Sequence, residues 1–127
     1  MLQPSYVLLY VASVQQSAAF YRDILQCDPV ESSATFALFI TEKGPRFGLW
    51  GRDGVEPAVD PDGHPGCSET GFPVETRDMV DRLYAGWREK GLVILQSPVE
   101  MDFGYTFVAA DPDGHRLRVF CLDDPKA

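Results

Sequence analysis

The sequence predicts an α+β fold made of two successive modules, each with the order strand, helix, strand, strand, strand. Two observations support this prediction: the element order occurs twice, and a segment rich in Gly, Pro and Asp, residues 53–67, separates the two copies. In addition, each predicted helix starts at a hydroxyl N-cap in an equivalent place, Ser13 and Thr76. The two modules therefore cover about residues 5–52 and 68–122.

The first module starts with a strand in which β-branched and aromatic residues occupy both faces, typical of a strand covered on both sides. Its helix, residues 13–25, is indicated by the capping box of Ser13 and Gln16 and by apolar residues at helical spacing. The predicted strands are residues 5–11, a short edge piece near 29–32, and residues 35–41 and 46–51.

The second module repeats this order. Its helix covers residues 76–91, with Thr76 as N-cap and Gly91 as the C-terminal stop, and its apolar stripe assigns Tyr84 and Trp87 to the core. The predicted strands are residues 68–75, 92–97, 105–110 and 115–122. The Asp-Pro-Asp-Gly of residues 111–114 supplies a hairpin turn between the last two.

Length and charge limit the classes of protein and partner. We expect a single domain over residues 1–127, since this length supports one sizeable core and 45% of the residues are apolar. The chain has 11 Lys and Arg against 19 Asp and Glu, a net charge of −8. This balance argues against nucleic acid or an anionic membrane as a partner, because both need a basic surface. It is compatible with a neutral or cationic ligand.

The expected location is the cytoplasm. No secretory signal and no apolar run of membrane-spanning length occurs in the sequence. The cysteines, Cys27, Cys67 and Cys121, are odd in number and widely spaced, which is typical of reduced thiols.

Motifs in both modules resemble the vicinal-oxygen-chelate superfamily, which contains glyoxalase I, extradiol dioxygenases and bleomycin-resistance proteins. The resemblance rests on "YVASVQQSAAFYRDIL" in the first module and "FGYTFVAADPDGHRLRVF" in the second, and it extends over residues 5–122. It implies a cupped eight-stranded mixed sheet with the helices outside and a ligand cavity inside. It also implies a homodimer, which is common in that group.

Enzymes of the superfamily hold a divalent metal, and the matching positions here are unsuited to one. They fall on Tyr6, Glu69 and Arg118, with a further position near Gly48 or Trp50. A guanidinium has no lone pair to give a metal and keeps its proton at physiological pH. The two histidines, His64 and His115, do not match ligand positions. The sequence therefore predicts no metal site and no cofactor.

Strand alternation then assigns side chains to the inner face of the cup. Leu49, Leu117 and Val119 are expected on the helix side, which leaves their neighbours in the strand facing inward. The resemblance to the superfamily implies that the Phe103–Tyr105 turn lies at the mouth of the cavity. The predicted ligand-binding residues are therefore Tyr6, Leu8, Tyr10, Trp50, Glu69, Phe103, Tyr105, Arg118 and Phe120. Either Arg116 or Arg118 serves as the basic group, depending on the register of the last strand.

Structural interpretations of these residues remain open at this point. Glu69 and Arg118 form a buried ion pair that neutralises the former metal position, or Arg118 binds a ligand; the two can coexist, with the ligand competing for the arginine. Trp50, between Gly48 and Gly51, is core or leaves room for a flat ligand to stack on its ring. Phe103 and Tyr105 pack the loop or contact the ligand.

The motifs resemble most the phenazine-antibiotic resistance proteins within the superfamily, through "LWG", "SETG" and "DPDGHRLRV". Those proteins bind a planar drug without modifying it. The resemblance implies that this chain is not an enzyme and sequesters a small planar aromatic ligand. The alternatives are a binder of a bleomycin-like cationic drug, a metal-dependent glyoxalase or dioxygenase, a metal-free enzyme using Glu69 or Tyr6, and a binding protein for an unrelated metabolite.

Overall fold

The computed structural model describes residues 1, 3–60 and 62–123. Position 61 of the predicted linker lies outside the described residues, as do positions 2 and 124–127 of the predicted domain. The chain divides between Gly63 and His64 into two compact units, so the division falls within the predicted linker. Within the described residues, neither helix is long and apolar enough to cross a lipid bilayer.

The first unit contains one βαβββ module. Its helix α1 and its four strands are, in chain order, β1 (Tyr6–Val11), α1 (Val14–Leu25), β2 (Glu31–Ser32), β3 (Phe36–Ile40) and β4 (Arg46–Gly51). The strands form one sheet in the order β1-β4-β3-β2, with β1 parallel to β4 and the other pairs antiparallel. A single 3₁₀ turn, Arg52–Gly54, ends the module.

The second unit contains the second module, with its elements in the same order. They are β5 (Glu69–Pro73), α2 (Arg77–Glu89), β6 (Val93–Met101), β7 (Gly104–Ala110) and β8 (Arg116–Leu122). The sheet order is β5-β8-β7-β6, again with the first and last strands of the module parallel. The two modules therefore share one topology, and the predicted fold class of two βαβββ modules with eight strands in mixed sheets is confirmed.

Each helix begins where the sequence places its N-cap. The Ser13 hydroxyl accepts the backbone N–H of Gln16 at 3.1 Å, and the Thr76 hydroxyl accepts that of Met79 at 3.1 Å. These bonds satisfy N–H groups that have no partner inside the first turn of a helix. The first helix ends at Gln26, which adopts the left-handed conformation with φ of 59°.

Each helix covers one face of its own sheet. In the first unit, Tyr21 of α1 is fully buried and its ring lies 4.9 Å from that of Phe47 on β4. In the second, Trp87 of α2 is buried between Phe72 of β5 and Phe107 of β7, with ring centroids 5.9 and 5.4 Å away. The predicted core position of Trp87 is confirmed. Each sheet thus keeps one face free of its helix.

Strand β6 is longer than the predicted residues 92–97, because it continues through Pro98 to Met101. A proline removes a backbone donor and argues against a central strand. Here β6 is an edge strand, and its pairing with β7 is irregular between Gln96 and Val99, so the missing N–H is tolerated. The extension leaves only a two-residue turn, Asp102–Phe103, before β7.

Replacing Gln96 with methionine is expected to stabilise the protein by about 1 kcal/mol. Among the described residues, the Gln96 Oε1 is the one buried side-chain oxygen or nitrogen without a hydrogen-bond partner. An unsatisfied buried acceptor costs free energy, and methionine has a similar shape without the amide. Urea unfolding of both proteins measures the change. Gln15→Met makes the same substitution at an exposed position of α1 and should change stability by less than about 0.5 kcal/mol. A less stable Gln96→Met protein would contradict this account.

Candidate functional site

The helix-free face of the first sheet is rich in aromatic residues. Residues opposite each other in a sheet share a face, and the register aligns Tyr10 with Trp50 and Trp50 with Phe36. Leu9, Val11 and Leu49 point to the helix side and are buried, as strand alternation predicts. Tyr6, Leu8 and Tyr10 alternate with Val7, Leu9 and Val11 along β1 and therefore lie on the helix-free face, where they are 58%, 42% and 40% exposed.

Trp50 and Tyr10 form an aromatic pair on this face. Their ring centroids lie 6.2 Å apart with an interplanar angle of 84°, an edge-to-face arrangement. Trp50 is half-buried, so its ring is neither fully in the core nor fully in solvent. At the other end of the strand, the Arg46 guanidinium lies 5.6 Å from the Tyr6 ring centroid. The Trp50–Tyr10 pair provides an apolar, partly accessible surface on which a flat ring can stack.

The space expected beside Trp50 at Gly48 is filled, so this part of the prediction is wrong. A Cβ added to Gly48 would lie 2.4 Å from the Leu8 side chain and 3.2 Å from the Phe36 ring. Glycine is needed there because Leu8 and Phe36 close over the strand. A ligand that stacks on Trp50 must therefore approach from the side away from Gly48.

The helix-free face of the second sheet contains the basic candidate. Strand β8 turns Leu117 and Val119 toward α2, where both are fully buried, as predicted. Arg116, Arg118 and Phe120 alternate with them and lie on the opposite face. Arg116 is exposed at the start of the strand, whereas only 17% of the Arg118 side chain is accessible. Both arginines share the face, and Arg118 is the one that other side chains hold in place.

Arg118 forms an ion pair with Glu69. The Arg118 Nε donates to the Glu69 Oε2 at 2.7 Å, across the parallel pairing of β5 and β8. The Glu69 side chain is 39% exposed, so the pair lies at the edge of the solvent rather than in the core. The ion pair predicted as one alternative is thus present, but its expected burial is wrong, because the Glu69 carboxylate is open to solvent. Its exposure leaves room for a ligand to reach the arginine.

Two aromatic rings lie beside this pair. The Arg118 guanidinium is 5.7 Å from the Phe103 ring centroid, and the Phe103 and Phe120 centroids are 6.3 Å apart. A guanidinium over an aromatic face is attracted by the ring quadrupole. Phe103 is 38% exposed. The structure therefore brings Glu69, Phe103, Arg118 and Phe120 together.

Tyr105 does not lie with these residues. Its hydroxyl donates to the Asp81 carboxylate at 2.7 Å and its ring lies 4.6 Å from the Arg77 guanidinium, both on α2. The hydrogen bond to Asp81 raises the pKa of Tyr105, because the ionised phenol could not donate it. Tyr105 alternates with Thr106, so only one of them can face Arg118. The predicted placement of Tyr105 at the mouth of a cavity beside Phe103 is wrong in this respect.

Thr106 is a site residue that sequence reasoning missed. It is fully buried, its hydroxyl donates to the Val119 carbonyl at 2.7 Å, and it accepts the Arg118 Nη1 at 3.2 Å. The Met101 sulfur lies 3.9 Å from the same Nη1. The available signal was a polar residue inside the apolar strand "YTFVAA", because a buried hydroxyl needs a partner.

The residues at the expected metal positions do not fit a divalent metal. In the second unit those positions are Glu69 and Arg118, and the arginine donates to the carboxylate oxygen that a metal would use. A guanidinium cannot act as a ligand, and its charge opposes a cation. The donor set thus supports hydrogen bonding and charge pairing rather than metal chemistry.

Asp111, Asp113 and His115 also place possible ligand atoms within 4.8 Å of one another. The Asp111 Oδ1 accepts the backbone N–H groups of Asp113 and His115 at 2.9 and 2.8 Å, and its Oδ2 lies 2.8 Å from the His115 Nδ1. Asp111 thereby closes the turn between β7 and β8. These bonds explain the cluster as the turn that the Asp-Pro-Asp-Gly motif predicts.

Comparisons with known proteins agree with this fold. The model of the Glyoxalase/Bleomycin resistance protein/Dioxygenase superfamily matches residues 3–119. The phenazine antibiotic resistance protein EhpR of Enterobacter agglomerans is 33% identical over 125 residues, covering 96% of this chain and 94% of that protein. A solution NMR structure of an Agrobacterium tumefaciens protein is 46% identical with a TM-score of 0.89, covering 98% and 100% of the chains. A glyoxalase-related enzyme of Fulvimarina pelagi, 20% identical with a TM-score of 0.83 over 95% and 88%, shares the fold.

Proposed function

This chain belongs to the Glyoxalase/Bleomycin resistance protein/Dioxygenase superfamily, and from that premise we propose that it is an antibiotic-resistance-type protein. In this proposal it binds a planar aromatic, phenazine-like molecule and sequesters it without changing it chemically. The 33% identity to a phenazine antibiotic resistance protein over nearly the whole chain supports this class of ligand.

The observation that carries the proposal is the Trp50–Tyr10 pair on the helix-free face of the first sheet. Aromatic side chains on an open sheet face are costly to leave in water, since each buries a large apolar area when covered. An edge-to-face pair covers at most one face of one ring, and Tyr10 is 40% exposed while Trp50 is half-buried, so part of the pair can meet an incoming planar group. Stacking there contributes about 0.5–1.5 kcal/mol beyond the burial of apolar surface.

A second set of contacts is available on the second sheet. The Arg118 guanidinium can donate hydrogen bonds to an oxygen or nitrogen of a ligand. Phe103 and Phe120 can contact the rings of that ligand. Binding by stacking and hydrogen bonding needs no activated nucleophile and no metal. The proposal is therefore a binding function, in which Glu69 serves as the charge partner of Arg118 and not as a general base.

A cationic drug of the bleomycin type is the second candidate. The observation that favours it is the net charge of −8, which attracts cations. The two candidates differ in salt dependence, because attraction by exposed charges weakens as salt is added while ring stacking changes little.

Titration with phenazine, followed by tryptophan fluorescence, tests the proposal. The protein has two tryptophans, and Trp87 is buried between α2 and its sheet. We expect saturable quenching in the wild type that is lost in Trp50→Phe, because the reporting ring is then absent. Isothermal titration should show that Trp50→Ala binds roughly three- to tenfold more weakly, from the lost stacking.

Trp87→Phe is the matched control, since it removes the other tryptophan and should keep the quenching. The mass of phenazine recovered after incubation should be unchanged. A chemically altered ligand, or binding that requires a stoichiometric divalent metal, would contradict the proposal. Binding of cationic drugs alone, abolished by salt, would favour the second candidate.

A further inference from the structure

The hydrogen bonds of Arg118 leave one end of its guanidinium unused. Nε donates to Glu69, and Nη1 contacts the Thr106 hydroxyl and the Met101 sulfur. Within the described part of the chain, no hydrogen-bond partner is found for Nη2. A buried nitrogen without a partner would be a defect of the fold, and Nη2 is not one of these buried atoms. Nη2 is therefore accessible, and it offers two N–H donors.

This donor is held in a fixed place. The Thr106 hydroxyl gives its proton to the Val119 carbonyl, so toward Arg118 it can only accept. Glu69 holds the Nε, and the Phe103 ring packs against the guanidinium. Arginine loses most of its rotamer freedom in such a setting, and a ligand that binds Nη2 does not have to order the side chain.

The charge at this donor is already balanced. The Glu69 carboxylate lies 2.7 Å from Nε, on the guanidinium edge that also carries one N–H of Nη2. A ligand group on Nη2 therefore lies beside a negative charge, and the Glu69 Oε1, which has no partner among the described residues, remains as an acceptor. A ligand carboxylate would meet this like charge, whereas a neutral carboxamide can accept from Nη2 and donate to Oε1.

We propose that Glu69 is a specificity-determining residue, which makes the site select planar aromatic ligands with a neutral hydrogen-bonding substituent, such as a carboxamide, over those with a carboxylate. This inference rests on the proposed function, because it names the class of ligand that the proposed contacts on the second sheet would take. The net charge of −8 acts in the same direction over longer range, so the two effects must be separated.

The experiment compares phenazine, phenazine-1-carboxamide and phenazine-1-carboxylate, which share one ring system. Affinities are measured by calorimetry at about pH 8, where the carboxylic acid is ionised. We expect the wild type to bind the carboxamide at least about tenfold more tightly than the carboxylate. In Glu69→Gln the carboxylate should gain about tenfold, because Arg118 is no longer neutralised, and the carboxamide should change less than about threefold.

Glu89→Gln is the matched control. It removes the same single negative charge from an exposed position at the end of α2, on the other side of the sheet from Arg118. It should leave the ratio of the two affinities unchanged. An equal change in both variants would mean that net charge sets the preference, and it would overturn the role of Glu69.

The outcomes separate this inference from the proposed function. Phenazine binding with equal affinities for the carboxamide and the carboxylate overturns the inference and leaves the proposed function standing. Binding of none of the three compounds overturns both. The ratio of the wild-type affinities for the carboxamide and the carboxylate tests the inference without any variant. The inference can therefore be refuted even if the Glu69→Gln protein folds poorly.

Discussion

Replacing Gly104 with alanine is expected to lower the free energy of unfolding by about 3 kcal/mol or more. The new Cβ would lie 2.0 Å from the Cys121 carbonyl oxygen and 3.0 Å from the backbone nitrogen of Asp123. The backbone at Gly104 has a φ of 149°, a conformation that residues with a side chain rarely adopt. Relief by movement is difficult, since Gly104 pairs with Leu122 on one side and Met101 on the other.

Gly86→Ala is the control for this substitution. Gly86 lies inside α2, and a Cβ there would meet nothing within 4 Å. Alanine favours a helix over glycine, so this variant should gain about 0.5–1 kcal/mol. Urea unfolding of the three proteins measures both changes. A Gly104→Ala protein within about 1 kcal/mol of the wild type would show that the β7–β8 pairing adjusts easily, contrary to the geometry described above.

The sequence predicted the element order well because the signals are local. The N-caps at Ser13 and Thr76 and the period of apolar residues depend on neighbours in the chain, and both helices start where expected. The extension of β6 through Pro98 was missed, since a proline argues against a strand unless the strand is known to lie at an edge. Edge position is a property of the assembled sheet, which no local pattern reports.

The candidate site was predictable in part, for a related reason. Strand alternation assigned Arg118 and Phe120 to one face of β8 correctly, because the period of a strand is fixed. It was not applied to Tyr105, which shares β7 with Thr106 and had been placed by likeness to the family. Thr106 could not be recognised as the partner of Arg118, because that contact joins two strands whose register is set by pairing.

Gly48 shows that a small residue in the sequence does not by itself predict an open space in the folded protein. A glycine beside a tryptophan indicates room in the absence of neighbours, and the sequence does not say which side chains fill it. Leu8 from β1 and Phe36 from β3 reach it from two sides of the sheet. The accessible part of Trp50 thus depends on contacts between strands that are far apart in the chain.

Substitutions of Phe107, within β7, and of Phe103, in the turn before it, should separate the stability of the second unit from its ligand binding. Phe107 is fully buried, with its ring 5.4 Å from Trp87 and 5.6 Å from Tyr84, so Phe107→Ala removes the centre of the core beneath α2. We expect a loss of about 3–5 kcal/mol in the free energy of unfolding, from lost burial and the cavity that remains.

Phe103→Ala is the matched change on the other face of the sheet, where the ring is 38% exposed beside Arg118. It should cost less than about 1 kcal/mol of stability and yet weaken phenazine binding roughly three- to tenfold, because the removed ring contacts the ligand and not the core. Urea unfolding and calorimetric titration of the two variants give the four values. An unchanged affinity of Phe103→Ala for phenazine would contradict the proposed ligand contacts on the second sheet. The contacts among Glu69, Arg118 and Phe103 would then serve only to hold the turn that contains Phe103.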